Sequence, residues 1–213
     1  MTLSQRYFAT LYDSLHVKVE GRLVAYRQLT AGRAIGDVLE IGAGSGANLP
    51  YYTGVKRLTL IEPNPFMSKR LRHRLTNFPL EATIFEEAGE VLPFPEASFD
   101  SVVTTLVLCM VEDLETVLSE VRRVLKCGGS FFFYEHVGSE GWMRRRLERV
   151  VNPAWRFLTT GCNLNRDIAG AIRKAGFAEV EVNAFDLSVG IPWTLPNIVG
   201  VAKGRSANSP RST

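Results

Sequence analysis

The segment VLEIGAGSGANLP, answered about twenty residues later by LTLIEPN, constrains this chain more than any other feature. It reads as a strand, a glycine-rich turn, a helix start, a second strand and a carboxylate at that strand's end. Gly42, Gly44 and Gly46 let backbone approach a ligand closely, and Glu62 stands where it can accept hydrogen bonds from a ribose. A chain built this way folds as an α/β layer structure that presents its strand ends to a nucleoside cofactor.

The rest of the chain continues the alternation. Strands are expected at Asp37–Ile41, Arg57–Glu62, Ala82–Glu86, SVVTTLV, Ser130–Glu135, Phe177–Phe185 and Ile198–Lys203. Between them lie SKRLRHRLTNF and the amphipathic DLETVLSEVRRVLK, the latter ended by Cys127, Gly128 and Gly129. Residues 141–160 and Asn165–Ala175 read as further helices. The last two strands have no helix between them, which suits an antiparallel edge. The expectation is a Rossmann-like open sheet of seven strands, mostly parallel with an antiparallel last strand, and helices on both faces. Apolar residues at helical spacing over residues 3–30, among them Leu3, Phe8, Leu11, Tyr12, Leu15, Leu23 and Tyr26, predict one or two helices ahead of the core. The division is an N-terminal helical cap (1–33), one core domain (34–204) and a disordered polar tail (205–213).

Length and charge narrow the partners. The 213 residues suffice for one sizeable core. A net charge of +3 without a concentrated basic footprint argues against nucleic acid. Three widely spaced cysteines, Cys109, Cys127 and Cys162, with no metal-ligand spacing, fit a reduced, cytoplasmic protein with no bound metal. No apolar run is long enough for a transmembrane segment, which leaves at most peripheral membrane contact. The N-terminal helices either cap the acceptor site or meet a partner, so the oligomeric state stays open.

Glycine-rich turns serve NAD, FAD and S-adenosylmethionine alike. The dinucleotide fingerprint places its third glycine one position later than Gly46 does, where Ala47 stands here. Glu40, just before the loop, brings negative charge toward the ligand. That disfavours a diphosphate and suits a sulfonium or an amino group. Ala43 and Asn48 complete the loop.

LEIGAGSG, LIEPN, EVLPFPEASFDSVVTTLVL and RVLKCGG together resemble the seven-strand class of S-adenosylmethionine-dependent methyltransferases over roughly residues 35–203. The resemblance implies that the glycine loop wraps the amino-acid end of the cofactor. It implies that Glu62 holds both ribose hydroxyls and that Pro63 and Asn64 line the adenine. Ala88 stands where that class often has Asp, so backbone at Ala88 and Gly89, beside Glu90, would replace part of the adenine contact. Thr105 and Leu106 end the fourth strand at the same crevice.

For the acceptor, Glu135 and His136 end the fifth strand on the ligand-facing edge. A histidine accepts a proton near neutrality, its free pKa being about 6.5, so His136 is the candidate base. Glu135 would orient it or bond the methionine end of the cofactor, although strand neighbours point to opposite faces. Cys109 either lines the acceptor pocket or is an inert buried thiol. Trp142 and Trp155 either cover the pocket or pack. Arg144, Arg145, Arg146 and Arg149 either snorkel from a helical lid or meet a membrane surface or acidic substrate. TLVLCMV, YEHV, NPAW, GCNLNR and WTLPNIVGVAKG resemble the alkyl-thiol S-methyltransferases of animal microsomal membranes. That resemblance implies a small-molecule thiol acceptor and places Cys162, Asn163 and Arg166 near the pocket, with Trp193 in the C-terminal segment. Direct in-line transfer to the sulfur needs little acid–base help, since a free thiol has a pKa of about 8.5. Methylation of O, N or C in a phenol, amine, phospholipid head group or quinone precursor is the alternative. A non-catalytic or NAD-dependent nucleotide-binding protein is the reading from another class.

Overall fold

The structure, a computed structural model, describes residues 6–7, 21–139, 141–159, 161–188 and 194–205. Most of the expected N-terminal helices, Trp193 and the tail beyond Arg205 lie outside the described residues. Seven strands form one sheet: β1 (Ile35–Ile41), β2 (Gly54–Ile61), β3 (Ala82–Phe85), β4 (Phe99–Thr105), β5 (Leu125–His136), β6 (Glu179–Ser188) and β7 (Thr194–Lys203). Their order is β3-β2-β1-β4-β5-β7-β6. β1 to β5 pair in parallel, and β7 runs antiparallel between β5 and β6. The chain order reverses between β1 and β4, which opens a crevice at their carboxyl ends.

The helices are α1 (described over 21–29), α2 (Pro65–Leu75), α3 (Leu114–Val124), α4 (Trp142–Leu158) and α5 (Ile168–Lys174). Local chemistry sets their starts. Asn64 caps α2 by accepting from the Phe66 amide, with Pro65 at the first position. Asp113 caps α3 by accepting from the Glu115 and Thr116 amides, and Asp167 caps α5 through the Gly170 amide.

Strand alternation divides the core. Leu39, Ile41, Phe131 and Phe133 face one side with Val117, Val121 and Ile172 of α3 and α5. Val38, Leu60 and Phe132 face the other with Leu71 of α2. Tyr134 and Val199 meet Leu23 of α1. Tyr26 stacks on Phe185 at 4.0 Å between centroids and on Tyr134 at 5.3 Å. That contact seats α1 against the carboxyl end of the sheet.

Four of the departures from the sequence reading bear on the site or have a local cause. The glycine loop leads to turns and a short 3-10 segment, Leu49–Tyr51, not to an α-helix. Gly44 and Gly46 sit at positive φ, and Pro50 brings no amide donor. α3 ends at Val124, because Leu125 is already extended, so Cys127, Gly128 and Gly129 belong to β5. α5 starts after Asp167 because that carboxylate caps it. β7 begins at Thr194 and runs through Pro196, whose carbonyl accepts from the Val137 amide at 3.0 Å.

Gly200 shows how tightly the β5–β7–β6 edge is assembled. A Cβ there would lie 2.1 Å from the Glu181 carbonyl oxygen and 2.5 Å from the Phe133 ring. The nearer obstacle is backbone and cannot rotate away. Gly200→Ala is expected to cost about 3 kcal/mol, the upper end of the overpacking range. Urea unfolding measures it, and an unchanged midpoint would refute the close packing.

Candidate active site

A cleft of about 650 Å³ opens over the carboxyl ends of β1, β2 and β4. That volume is in the range of small-molecule sites. Its walls include Gly42, Gly44, Glu62, Pro63, Asn64, Ala88, Gly89, Glu90, Thr105 and Leu106, all expected from the sequence, together with Met67, Val107, Met110 and Val111, which were not.

Glu62 is the polar centre of this cleft. One carboxylate oxygen accepts from the Gly44 amide at 2.8 Å, and the other accepts from the Asn64 amide at 2.8 Å. Burial pushes its carboxyl pKa up, and the two amides oppose that. Each oxygen has one protein donor and keeps a lone pair for a diol. Gly42, at φ +69°, is required because a Cβ there would stand 2.4 Å from Val107 Cγ2. The glycine loop and the segment after β4 therefore close on each other across the crevice. Glu90 joins the opposite rim by accepting from the Glu112 amide at 3.0 Å.

Behind the loop lie Glu40, Asn48, Ala43 and Gly46. None of the four lines the cleft. Glu40 is buried and accepts from Tyr52 Oη at 2.7 Å and from Asn48 Nδ2 at 2.8 Å. The same Asn48 amide group donates to Thr105 Oγ1 at 3.0 Å, and its oxygen accepts from Arg27 Nη1 at 2.6 Å. Burial pushes the Glu40 carboxyl up to about 7, against the pull of Tyr52, Asn48 and Arg27. Gly46 is pressed between Leu49 and Leu71, and Ala43 belongs to the core. Arg27 carries no sequence signal, because it is one basic residue in an amphipathic helix and its partner lies 21 positions away.

Beyond the cleft, Leu106 takes φ +58°, a costly conformation for a branched side chain, and its amide donates to the Tyr134 carbonyl. Glu135 is fully buried and accepts from the Leu108 amide at 3.0 Å. Burial raises its carboxyl to about 7. It holds the segment after β4, and no hydrogen bond joins it to His136. His136 is 6 % exposed, and neither ring nitrogen has an oxygen or nitrogen partner. It stands beside Cys162, which also neighbours Trp155. Asn163 donates to the Cys109 carbonyl through its side chain at 3.1 Å, and Arg166 donates to the Leu108 and Val111 carbonyls at 2.8 and 2.7 Å. These two residues fasten loop 161–166 to loop 106–111. Trp142, expected over the pocket, is 73 % exposed on α4, so the structure does not bring it to the site.

Comparison with known proteins now adds to this geometry. A family model described as a methyltransferase domain matches residues 39–133. The chain is 35% identical over 169 residues to thiol S-methyltransferase TMT1A of Homo sapiens, covering 78% of this chain and 69% of that one. The chain belongs to the thiol S-methyltransferase family. Thiol S-methyltransferase TMT1B of Rattus norvegicus is 38% identical over 149 residues, covering 68% of this chain and 61% of its own length. Among solved structures, a methyltransferase of Thermotoga maritima, described as a possible histamine N-methyltransferase, superposes with a TM-score of 0.69. It shares 21% identity over 95% of this chain and 100% of its own, and it shows the fold alone.

As a class I methyltransferase of this family, the protein uses S-adenosylmethionine to methylate a small molecule. The cleft fits that cofactor by its own chemistry: Glu62 presents a carboxylate with acceptor capacity left on each oxygen, Gly42 and Gly44 leave backbone bare, and Ile41, Ile61 and Met67 supply apolar wall. Among the described residues, no helix is long and apolar enough to cross a membrane.

Proposed function

We propose that the methyl acceptor is the sulfur of a small apolar thiol and that His136 takes its proton. The observation that carries this reading is the buried His136 imidazole at the end of β5, whose ring nitrogens meet no oxygen or nitrogen partner and which stands beside the Cys162 thiol. Glu62, with the glycine loop and Asn64, would hold the nucleoside. S-adenosylmethionine, when bound, supplies a methyl group on an already activated sulfonium. Leu106, Val107, Met110 and Val111 exclude water and favour a soft apolar acceptor over a charged one. Little more than deprotonation is then required of the chain, since thiols titrate near 8.5. The same reading includes a cytoplasmic setting, where the three free cysteines stay reduced.

A panel of thiols, phenols, amines and quinols with labelled S-adenosylmethionine tests the acceptor. Thiols are expected to turn over best, and turnover confined to the other classes would reject the reading. His136→Ala is expected to lower kcat/KM for a thiol about 10²-fold at pH 7. The deficit shrinks above pH 8.5, where the thiol ionises unaided. An unchanged rate and pH profile would remove His136 from the proton path.

A further inference from the structure

Cys109 and Cys162 are 53 positions apart in sequence, yet their sulfurs stand 3.6 Å from each other. The backbones around them are already joined. The Asn163 amide donates to the Cys109 carbonyl at 2.9 Å, and the Arg166 guanidinium grips the carbonyls of Leu108 and Val111. A disulfide needs the sulfurs at about 2.05 Å, so side-chain rotation and a small approach close the remaining gap. The two thiols are not equivalent. Cys109 is buried, and Cys162 is partly exposed. Beside Cys162 stand the buried His136 imidazole and the buried Trp155 indole N–H, neither of which has an oxygen or nitrogen partner. The neighbouring Cys109 thiol and the imidazole hold the Cys162 thiol well below its usual range, while the same sharing of one proton pushes Cys109 up. A partly open thiol beside an imidazole, backed by a buried thiol, is the arrangement of an attacking and a resolving cysteine.

We propose that Cys109 and Cys162 form a reactive dithiol that exchanges with low-molecular-weight disulfides. The Cys162 thiolate attacks one sulfur of RSSR, the S–S bond of RSSR breaks, and one RS⁻ leaves and takes up a proton. Cys109 gives its proton to His136 or solvent and attacks the Cys162 sulfur of the mixed disulfide. The Cys109–Cys162 bond forms and the second RS⁻ departs, also to be protonated. The protein loses two electrons and two protons, and RSSR becomes two RSH. Each exchange thus releases a thiol next to loop 106–111, whose Val107 and Met110 line the cleft. The exchange rests on the cysteine geometry and not on the acceptor reading, so either can fail alone.

The test uses the full chain in a Cys127→Ser background, which removes the exposed third thiol. The folded protein is treated with glutathione disulfide, quenched in acid and mapped by mass spectrometry. The expected product has lost two hydrogens, carries no glutathione and yields a Cys109–Cys162 linked peptide that dithiothreitol reverses. In wild type, Cys162 is expected to react about tenfold faster than Cys127. Adding Cys109→Ser should leave a stable glutathione adduct on Cys162, since the resolving thiol is gone. Two free thiols persisting in the Cys127→Ser protein, while Cys127 of wild type becomes glutathionylated, would overturn the proposal. A glutathione adduct on Cys162 that never resolves in the presence of Cys109 would overturn it equally.

Discussion

Glu62→Gln is expected to weaken binding of S-adenosylhomocysteine by about 10²-fold or more, measured by calorimetry. The carboxylate already accepts from Gly44 and Asn64 with one oxygen each. A ribose diol adds two donors to the same group. Hydrogen bonds to a charged acceptor contribute about 1.5–3 kcal/mol apiece, and every 1.4 kcal/mol is about tenfold. The amide keeps one acceptor and turns an NH₂ toward a backbone N–H. It therefore loses ribose contacts and also loosens one arm of the loop. Glu62→Ala releases both arms, so its loss should be at least as large. Binding within about threefold of wild type for Glu62→Gln would show that this carboxylate does not hold the ribose.

Arg27→Met is expected to destabilise the fold by about 3 kcal/mol at pH 8.5 and by clearly less at pH 5.5, in urea unfolding. Arg27 is 2 % exposed and orients Asn48, which in turn feeds Glu40 and Thr105. Removing it leaves the buried Glu40 carboxylate with less compensation. The sign of the pH effect follows from Glu40 itself. Its carboxyl in the folded protein is raised from 4.5 to about 7, chiefly by burial. The protonated form is therefore favoured by folding. The contribution of this group is greatest below pH 4.5 and is lost as pH rises through about 7, where the native carboxyl finally ionises. Glu135, also raised to about 7, adds to the same slope. Without Arg27 the Glu40 carboxyl rises further, so the loss continues to higher pH and the gap from wild type widens above 7. At pH 5.5 Glu40 is already protonated in both proteins, and only the packing and hydrogen-bond part remains. An equal deficit at both pH values would mean that Arg27 acts through packing alone. Asp37 and Asp100 work in the opposite window: Arg57 and then Lys126 hold Asp37 below its usual range, the Asp37 amide and Lys126 outweigh burial to do the same for Asp100, and their contribution is lost only as pH falls through the acid range.

Much of the cofactor side was legible because its chemistry is local. Glu62 lies one residue past the β2 ladder, and Gly42, Gly44 and Gly46 occupy positive-φ positions that the sequence spacing already marks. Met67 could have been found: it sits three residues after the Asn64 cap, one turn into α2, where a side chain meets the strand ends. The partners of Glu40 were not legible, because strand alternation turns it to the opposite face from Leu39 and Ile41, toward Asn48 and Tyr52.

The order of strands, glycines and caps determined that this chain would build a mostly parallel seven-stranded sheet around a nucleoside crevice. Period-two burial, turn chemistry and helix caps are all written within a few residues of one another. The long-range pairs at this end of the sheet were decided only by tertiary structure. Arg27 with Asn48, Cys109 with Cys162, and Arg166 with Leu108 are pairs separated by 21, 53 and 58 positions. Local periodicity holds no information at such distances, because these contacts exist only after crossovers bring separate loops to the same end of the sheet. The glycine loop thus set the cofactor, and tertiary packing alone joined loops 106–111 and 161–166.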